Sequence, residues 1–215
     1  MVETVRVEKL ARDFKVKGGS NRVLAGLSFS LKAGQVLIVT GRNGSGKTTL
    51  LKILAGLLSP DSGRVLLKGV DALKDTEKAK KLVGFVGSEE RALYWKLTGR
   101  QNLEFFASIY GIDSKTIADR VEQLAKRLEL AEFLDRPVED CSLGMKQRLA
   151  IARCLISHPE ILLFDEPLKG LDKAAKRKFI EILSVLRKKG YTVIIATHNI
   201  EDFKPVKYRK LELSR

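Results

Sequence analysis

Gly41-Arg42-Asn43-Gly44-Ser45-Gly46-Lys47-Thr48 is the stretch on which the reading of this chain turns. It fits the pattern G-x-x-x-x-G-K-[ST], and its neighbours supply the context that pattern requires. Before it, residues 36–40 (VLIVT) form a short apolar run that reads as a buried strand. After it, TTLLKILAGLL has helical apolar spacing, closed by Gly56 and Ser59-Pro60-Asp61. A loop that wraps a phosphate turns tightly and brings backbone N–H groups close, so side chains would obstruct it at Gly41, Gly44 and Gly46. The following helix adds the positive end of its dipole. Lys47 is placed to reach terminal phosphates and the Thr48 hydroxyl to ligate Mg²⁺. Arg42, Asn43, Ser45 and Thr49 complete the candidate nucleotide-binding set.

A nucleoside triphosphate site is common to many enzymes, and two further segments narrow the choice. Residues 161–164 (ILLF) are an apolar run that ends in Asp165-Glu166. Asp165 is suited to hold Mg²⁺ through water, because a hard cation prefers oxygen ligands. Glu166 then lies beyond the γ-phosphate, where a carboxylate polarises the attacking water. The run 192–196 (TVIIA) is followed at once by Thr197-His198, which places an imidazole for contact with the γ-phosphate. Glu166, His198 and Lys47 are therefore the candidate catalytic residues. Further strands are expected at 65–68 and 83–86. The middle, 97–134, reads as helical, with Ile117, Val121, Leu124, Leu128 and Leu130 at three- to four-residue spacing. Apolar strands alternating with helices predict a mostly parallel sheet covered on both faces, with ligands at the carboxyl ends of its strands.

The composition agrees with a folded enzyme. The 215 residues are 44% apolar and 31% charged, which excludes a disordered chain. No stretch approaches the ~20 apolar residues that cross a bilayer, and the charged start MVETVRVEKLARDFKVK lacks the core of a secretory signal. Cys141 and Cys154 form no metal-type cluster and are expected as free thiols in a reducing, cytoplasmic setting. The net charge is +14, and residues 173–215 carry 12 Lys or Arg against 4 Asp or Glu. That excess favours anionic surfaces without identifying one, and most of these cations serve to solvate helix faces.

Together these residues resemble the nucleotide-binding domain of ABC transporters, over nearly the whole chain. The deciding segment is Cys141-Ser142-Leu143-Gly144-Met145-Lys146-Gln147-Arg148, which is similar to the family's signature loop, LSGGQ. The resemblance implies a P-loop NTPase of RecA-like, mostly parallel sheet, with an N-terminal antiparallel β portion and an inserted helical subdomain. It implies a single domain over 1–215, with its core at 1–86 and 156–215 and the helical subdomain and signature loop at 87–155. It implies ATP and Mg²⁺ as cofactors, and Phe14 as the aromatic that stacks on adenine. Ser142, Gly144 and Met145 would act in trans on ATP held by a second nucleotide-binding domain, identical or paralogous. Pro167-Leu168-Lys169-Gly170-Leu171-Asp172 resembles the loop that contacts that domain through Asp172. Leu97-Thr98-Gly99-Arg100-Gln101-Asn102-Leu103 and Tyr110-Gly111 resemble the start of the subdomain that docks a separate transmembrane permease.

The expectation is an ATPase subunit at the cytoplasmic face of the membrane, with no sequence-specific nucleic acid partner. A soluble ATPase of this type acting on the ribosome or nucleic acid is the alternative, favoured by the basic charge. The single nucleotide site, without heptads or cysteine clusters, speaks against it. The short segment after His198 resembles compact exporter-type subunits. Three departures from the family pattern stand out. Where a glutamine usually follows the strand at 83–86, this chain has Gly87-Ser88-Glu89-Glu90-Arg91, leaving either Ser88 or Glu89 beside Mg²⁺. Leu143 and Met145 replace the usual glycine and glutamine of the signature. Leu168 and Lys169 replace small polar residues before Gly170.

Overall fold

The structure is a computed structural model that describes residues 3–16, 19–87 and 93–213. Its centre is a parallel sheet of β3 (Val36–Thr40), β6 (Val83–Val86), β7 (Ile161–Asp165), β8 (Thr192–Ala196) and β9 (Arg209–Glu212). The spatial order is β6-β7-β8-β3-β9. The three central strands are buried at every position, and their continuous apolar runs answer to a sheet covered on both faces. Helices α1 (Lys47–Leu54), α5 (Leu143–Leu155) and α6 (Lys173–Lys188) supply much of that cover.

A second, antiparallel sheet is made of β1 (Glu3–Val16), β2 (Gly19–Lys32), β4 (Ser62–Leu67) and β5 (Val70–Asp71), ordered β2-β1-β4-β5. Period-two alternation buries Val5 and Val7 and exposes Arg6 and Glu8. Lys9, at a left-handed φ of 47°, sits where the register shifts, so the inward face resumes at Leu10. The two sheets sandwich a core in which Leu37, Val39, Leu163 and Ile194 meet Leu50 and Leu54 of α1 and Val5, Val7 and Val65. The alternate residues of the same parallel strands, Ile38, Leu162, Phe164 and Ile195, point the other way. They pack on Phe179, Leu183 and Leu186 of α6 and on the helices of the middle segment.

That segment contains α3 (Gly99–Ile109) and α4 (Ser114–Leu128), with α2 (Thr76–Lys81) earlier in the chain. The apolar stripe expected on α4 is present, since Ile117, Val121, Leu124 and Leu128 are all buried. Leu130 is buried too but lies beyond the helix, because Glu129 takes a left-handed φ of 54° and stops it. The strand expected at 65–68 starts earlier, at Ser62, and ends at Leu67, where Lys68 (φ 50°) turns the chain into β5. Among the described residues no helix is long and apolar enough to cross a membrane.

Candidate functional site

All five parallel strands run the same way, so their carboxyl ends share one edge, and the glycine-rich loop leaves β3 there. Two of its glycines are required by space as well as by φ. A Cβ on Gly46 (φ 100°) would lie 2.7 Å from Val23 Cγ1 and 2.8 Å from the Val23 carbonyl, so β2 closes directly over the loop. A Cβ on Gly41 (φ 150°) would lie 2.4 Å from Ser45 Oγ and 2.6 Å from the Leu213 carbonyl. Arg42, Asn43 and Gly44 are exposed at the loop's tip, whereas Ser45 is buried and its hydroxyl has no hydrogen-bond partner among the described residues. Thr49 is half-buried on α1.

Lys47 is 7% exposed and its ammonium donates to the Gly41 and Arg42 carbonyls at 2.8 and 3.2 Å. A buried cation held by neutral loop carbonyls is poised to exchange them for a stronger anionic acceptor. Next to it, Thr48 Oγ1 donates to Asp165 Oδ2 at 2.8 Å. Asp165 ends β7 and is 3% exposed. Two hard oxygen donors from elements far apart in sequence thus converge beside the phosphate loop, and this donor set fits a divalent cation completed by phosphate oxygens and water.

Glu166 adopts a left-handed φ of 49°, tied by its N–H to the Ala196 carbonyl at 2.9 Å. This conformation is disfavoured for a side chain bearing Cβ, and it turns the carboxylate across the ends of β7 and β8. There Oε1 accepts from the His198 backbone N–H at 3.1 Å and meets the imidazole Nδ1 at 3.0 Å. Oε2 accepts from Thr197 Oγ1 at 3.2 Å. Thr197 was not among the candidate catalytic residues, and only its position before His198 gave a signal for it. Lys47, Thr48, Asp165, Glu166 and His198 therefore sit along one sheet edge, as the strand-end argument requires.

The remaining candidates lie elsewhere. Phe14 is on β1, paired with Asn21 in the hairpin that covers the loop, with the Arg12 guanidinium 4.9 Å from its ring centre. Ser142 caps α5, its hydroxyl accepting from the Met145 N–H at 3.2 Å. Gly144 lies against α6, where an added Cβ would come 2.8 Å from Ala175 Cβ. Asp172 caps α6 by accepting from the Ala175 N–H at 2.8 Å. Ser142, Gly144, Met145 and Asp172 share a cleft of about 470 Å³ that no residue of the phosphate loop lines. A second cavity, of about 500 Å³, opens beside Asp165 and Glu166 and is walled by Trp95, Leu143, Lys146 and Leu171. Ser88 and Glu89 lie outside the described residues.

The family model described as ABC transporter matches residues 24–169. The ABC transporter ATP-binding protein NatA of Bacillus subtilis (strain 168) is 35% identical over 192 residues, covering 89% of this chain and 78% of that protein. Among solved structures, the dimeric ADP- and Pi-bound post-hydrolysis state of the ATP-binding cassette MJ0796 is similar with a TM-score of 0.84 and 27% identity. That likeness covers 98% of this chain and 97% of the cassette. CbiO1 of Clostridium perfringens, part of the ABC transporter complex CbiONQ, is similar with a TM-score of 0.82 and 31% identity, covering 94% and 80%.

Proposed function

The chain belongs to the ABC transporter family as an ATP-binding, ATP-hydrolysing subunit, and from that premise we propose how its residues divide the work. Lys47 and the backbone N–H groups of Gly41 to Thr49 hold the β- and γ-phosphates of ATP, and Phe14 stacks on the adenine. Thr48 and Asp165 would hold Mg²⁺, which would supply neutralisation of the phosphate charge. Glu166 accepts a proton from, or orients, the water that attacks the γ-phosphate, and His198 lends a donor to the γ-phosphate oxygens while keeping Glu166 in place. The observation that carries this reading is the convergence at one sheet edge of the Thr48–Asp165 pair and the Glu166 carboxylate gripped by Thr197 and His198.

Ser142, Gly144 and Met145 reach ATP held by a second nucleotide-binding domain, identical or paralogous, and Asp172 touches that domain. The lack of any phosphate-loop residue around their cleft supports a role in trans. Residues 87–155 act as the helical subdomain that docks a separate transmembrane permease at the cytoplasmic face of the membrane. Its exposed Tyr94, Phe105, Ile109 and Tyr110 support that docking, with the Tyr94 and Phe105 rings edge-on at 4.9 Å. The relatives are transporter subunits, so action on the ribosome or nucleic acid is not the reading they favour. Glu166→Gln is expected to keep ATP binding, to lose turnover by at least about a hundredfold, and to accumulate a Mg-ATP dimer of doubled mass in light scattering. Normal turnover would remove Glu166 from its role.

A further inference from the structure

Beyond the residues that face the nucleotide, a hydrogen-bonded chain runs from α6 to the Glu166 carboxylate. Asp202 Oδ2 accepts from Lys176 Nζ at 2.9 Å and from Asn199 Nδ2 at 3.0 Å. The Asn199 N–H donates to Thr197 Oγ1 at 3.1 Å, and that hydroxyl donates to Glu166 Oε2 at 3.2 Å. His198, between Thr197 and Asn199, makes two contacts to Glu166 Oε1 through its N–H and Nδ1. The short turn 197–199 is therefore fixed at one end by β8 and at the other by Asp202.

Asp202 is itself held. The next residue, Phe203, is fully buried, with its ring edge-on to Phe179 of α6 at 6.5 Å. Lys176 stands one turn into α6, the helix that Asp172 caps. The start of α6 is thus bonded to the turn 197–199 through the Asp202 carboxylate. A chain of this kind also explains what keeps Glu166 in its disfavoured left-handed conformation, since two donors and the imidazole Nδ1 of that turn engage its two oxygens.

We propose that Asp202 is a positioning residue for ATP hydrolysis: it anchors Asn199, and through Asn199 the Thr197 and His198 groups that orient Glu166. The inference rests on Glu166 being the residue that activates water. It makes Asp202 a determinant of turnover and not of nucleotide affinity, because no atom of the chain from Lys176 to Thr197 bonds the phosphate loop.

The test compares steady-state ATPase kinetics, ATP affinity by calorimetry and thermal midpoint for Asp202→Ala, Asp202→Asn and Lys176→Met. Asp202→Ala should lower kcat roughly tenfold, inside the ~10²-fold that a 1 Å misplacement costs, with KM and ATP affinity unchanged. Asp202→Asn keeps a carbonyl acceptor for Asn199 and should restore most of the rate. Lys176→Met leaves Asp202 in place and should give the same kcat-only loss at smaller size, which keeps the test open if Asp202→Ala fails to fold. A folded Asp202→Ala protein with normal kcat overturns the proposal, as does a loss that falls on KM or one that Asp202→Asn leaves unrestored. Glu166→Gln is assayed alongside. If it turns over normally, the assignment of Glu166 fails and takes this inference with it; if it is inactive while Asp202→Ala is normal, only this inference fails.

Discussion

A lysine at the mouth of a phosphate loop is useful because it is buried with too few strong partners. Among the described residues the Lys47 ammonium bonds two backbone carbonyls, and a phosphate offers a charged acceptor in their place. Lys47→Ala should therefore weaken ATP binding by about two orders of magnitude, or about 2.8 kcal/mol at ~1.4 kcal/mol per tenfold. Calorimetry with Mg-ATP checks this, and wild-type affinity would remove Lys47 from the cradle. The loop was legible in the sequence because its chemistry is contiguous: each residue of Gly41 to Thr48 works beside its chain neighbours. Glu166 was legible as a carboxylate after an apolar strand, but its left-handed φ was not, since that conformation is imposed by the Ala196 carbonyl and the turn 197–199. Thr197 went unassigned for the same reason.

Elements depend on their ends. Helix α3 is capped by Thr98, whose side chain accepts from the Gln101 N–H while the Gln101 side-chain carbonyl accepts from the Thr98 N–H, so two orphan donors are satisfied reciprocally. Thr98→Ala should cost about 1 kcal/mol, seen as a lower urea midpoint with an unchanged slope; no shift in midpoint would show that the cap adds nothing. The apolar spacing within α4 was readable from single residues, and the structure buries all of it. The helix end was not. Leu130 continues the apolar spacing yet lies outside, because Glu129 departs into the left-handed region and the buried contact is made from irregular chain. Four of the five parallel strands were found from their apolar runs; β9 was missed, because Arg209–Glu212 carries no such run, and β4 was misplaced by up to three residues at its start. Its first positions, Ser62 to Arg64, are exposed and owe their extended form to pairing with β1.

At the scale of the whole molecule, stability depends on groups hidden far from the site. Cys154 is fully enclosed between α5 and β6, and burial pushes its thiol up to about 12. Its folded value lies above the unfolded 9.0, so this contribution is fully present below pH 9 and is lost as pH rises through the folded value. Between these limits the unfolded chain binds fewer protons, and stability falls by about 1.4 kcal/mol per pH unit. Urea titrations between pH 8.5 and 10.5 should show a steeper decline for the native chain than for Cys154→Ala; parallel declines would contradict the assignment. Because Gly84 leaves no room beside the sulfur, where an added Cβ would come 2.3 Å from Sγ, the thiol should also resist alkylation in the folded state.

The sequence alone determined what is local. The phosphate loop, the strand after which it comes, the acidic pair closing 161–166 and the amphipathic face of α4 all follow from residues within one turn or one strand of each other. The tertiary structure alone decided which distant residues meet. Thr48 and Asp165 are 117 positions apart and bond because the parallel order β7-β8-β3 brings the end of β7 and the start of α1 to one sheet edge, with only β8 between their strands. Glu166 and His198 are 32 apart and meet because β7 and β8 are neighbours in register. The same holds for Val23 closing over Gly46, and for Asp202 reaching Asn199 and Lys176 at once. Periodicity reports the face a residue presents, while strand order and register are settled only when both faces of the sheet are buried together.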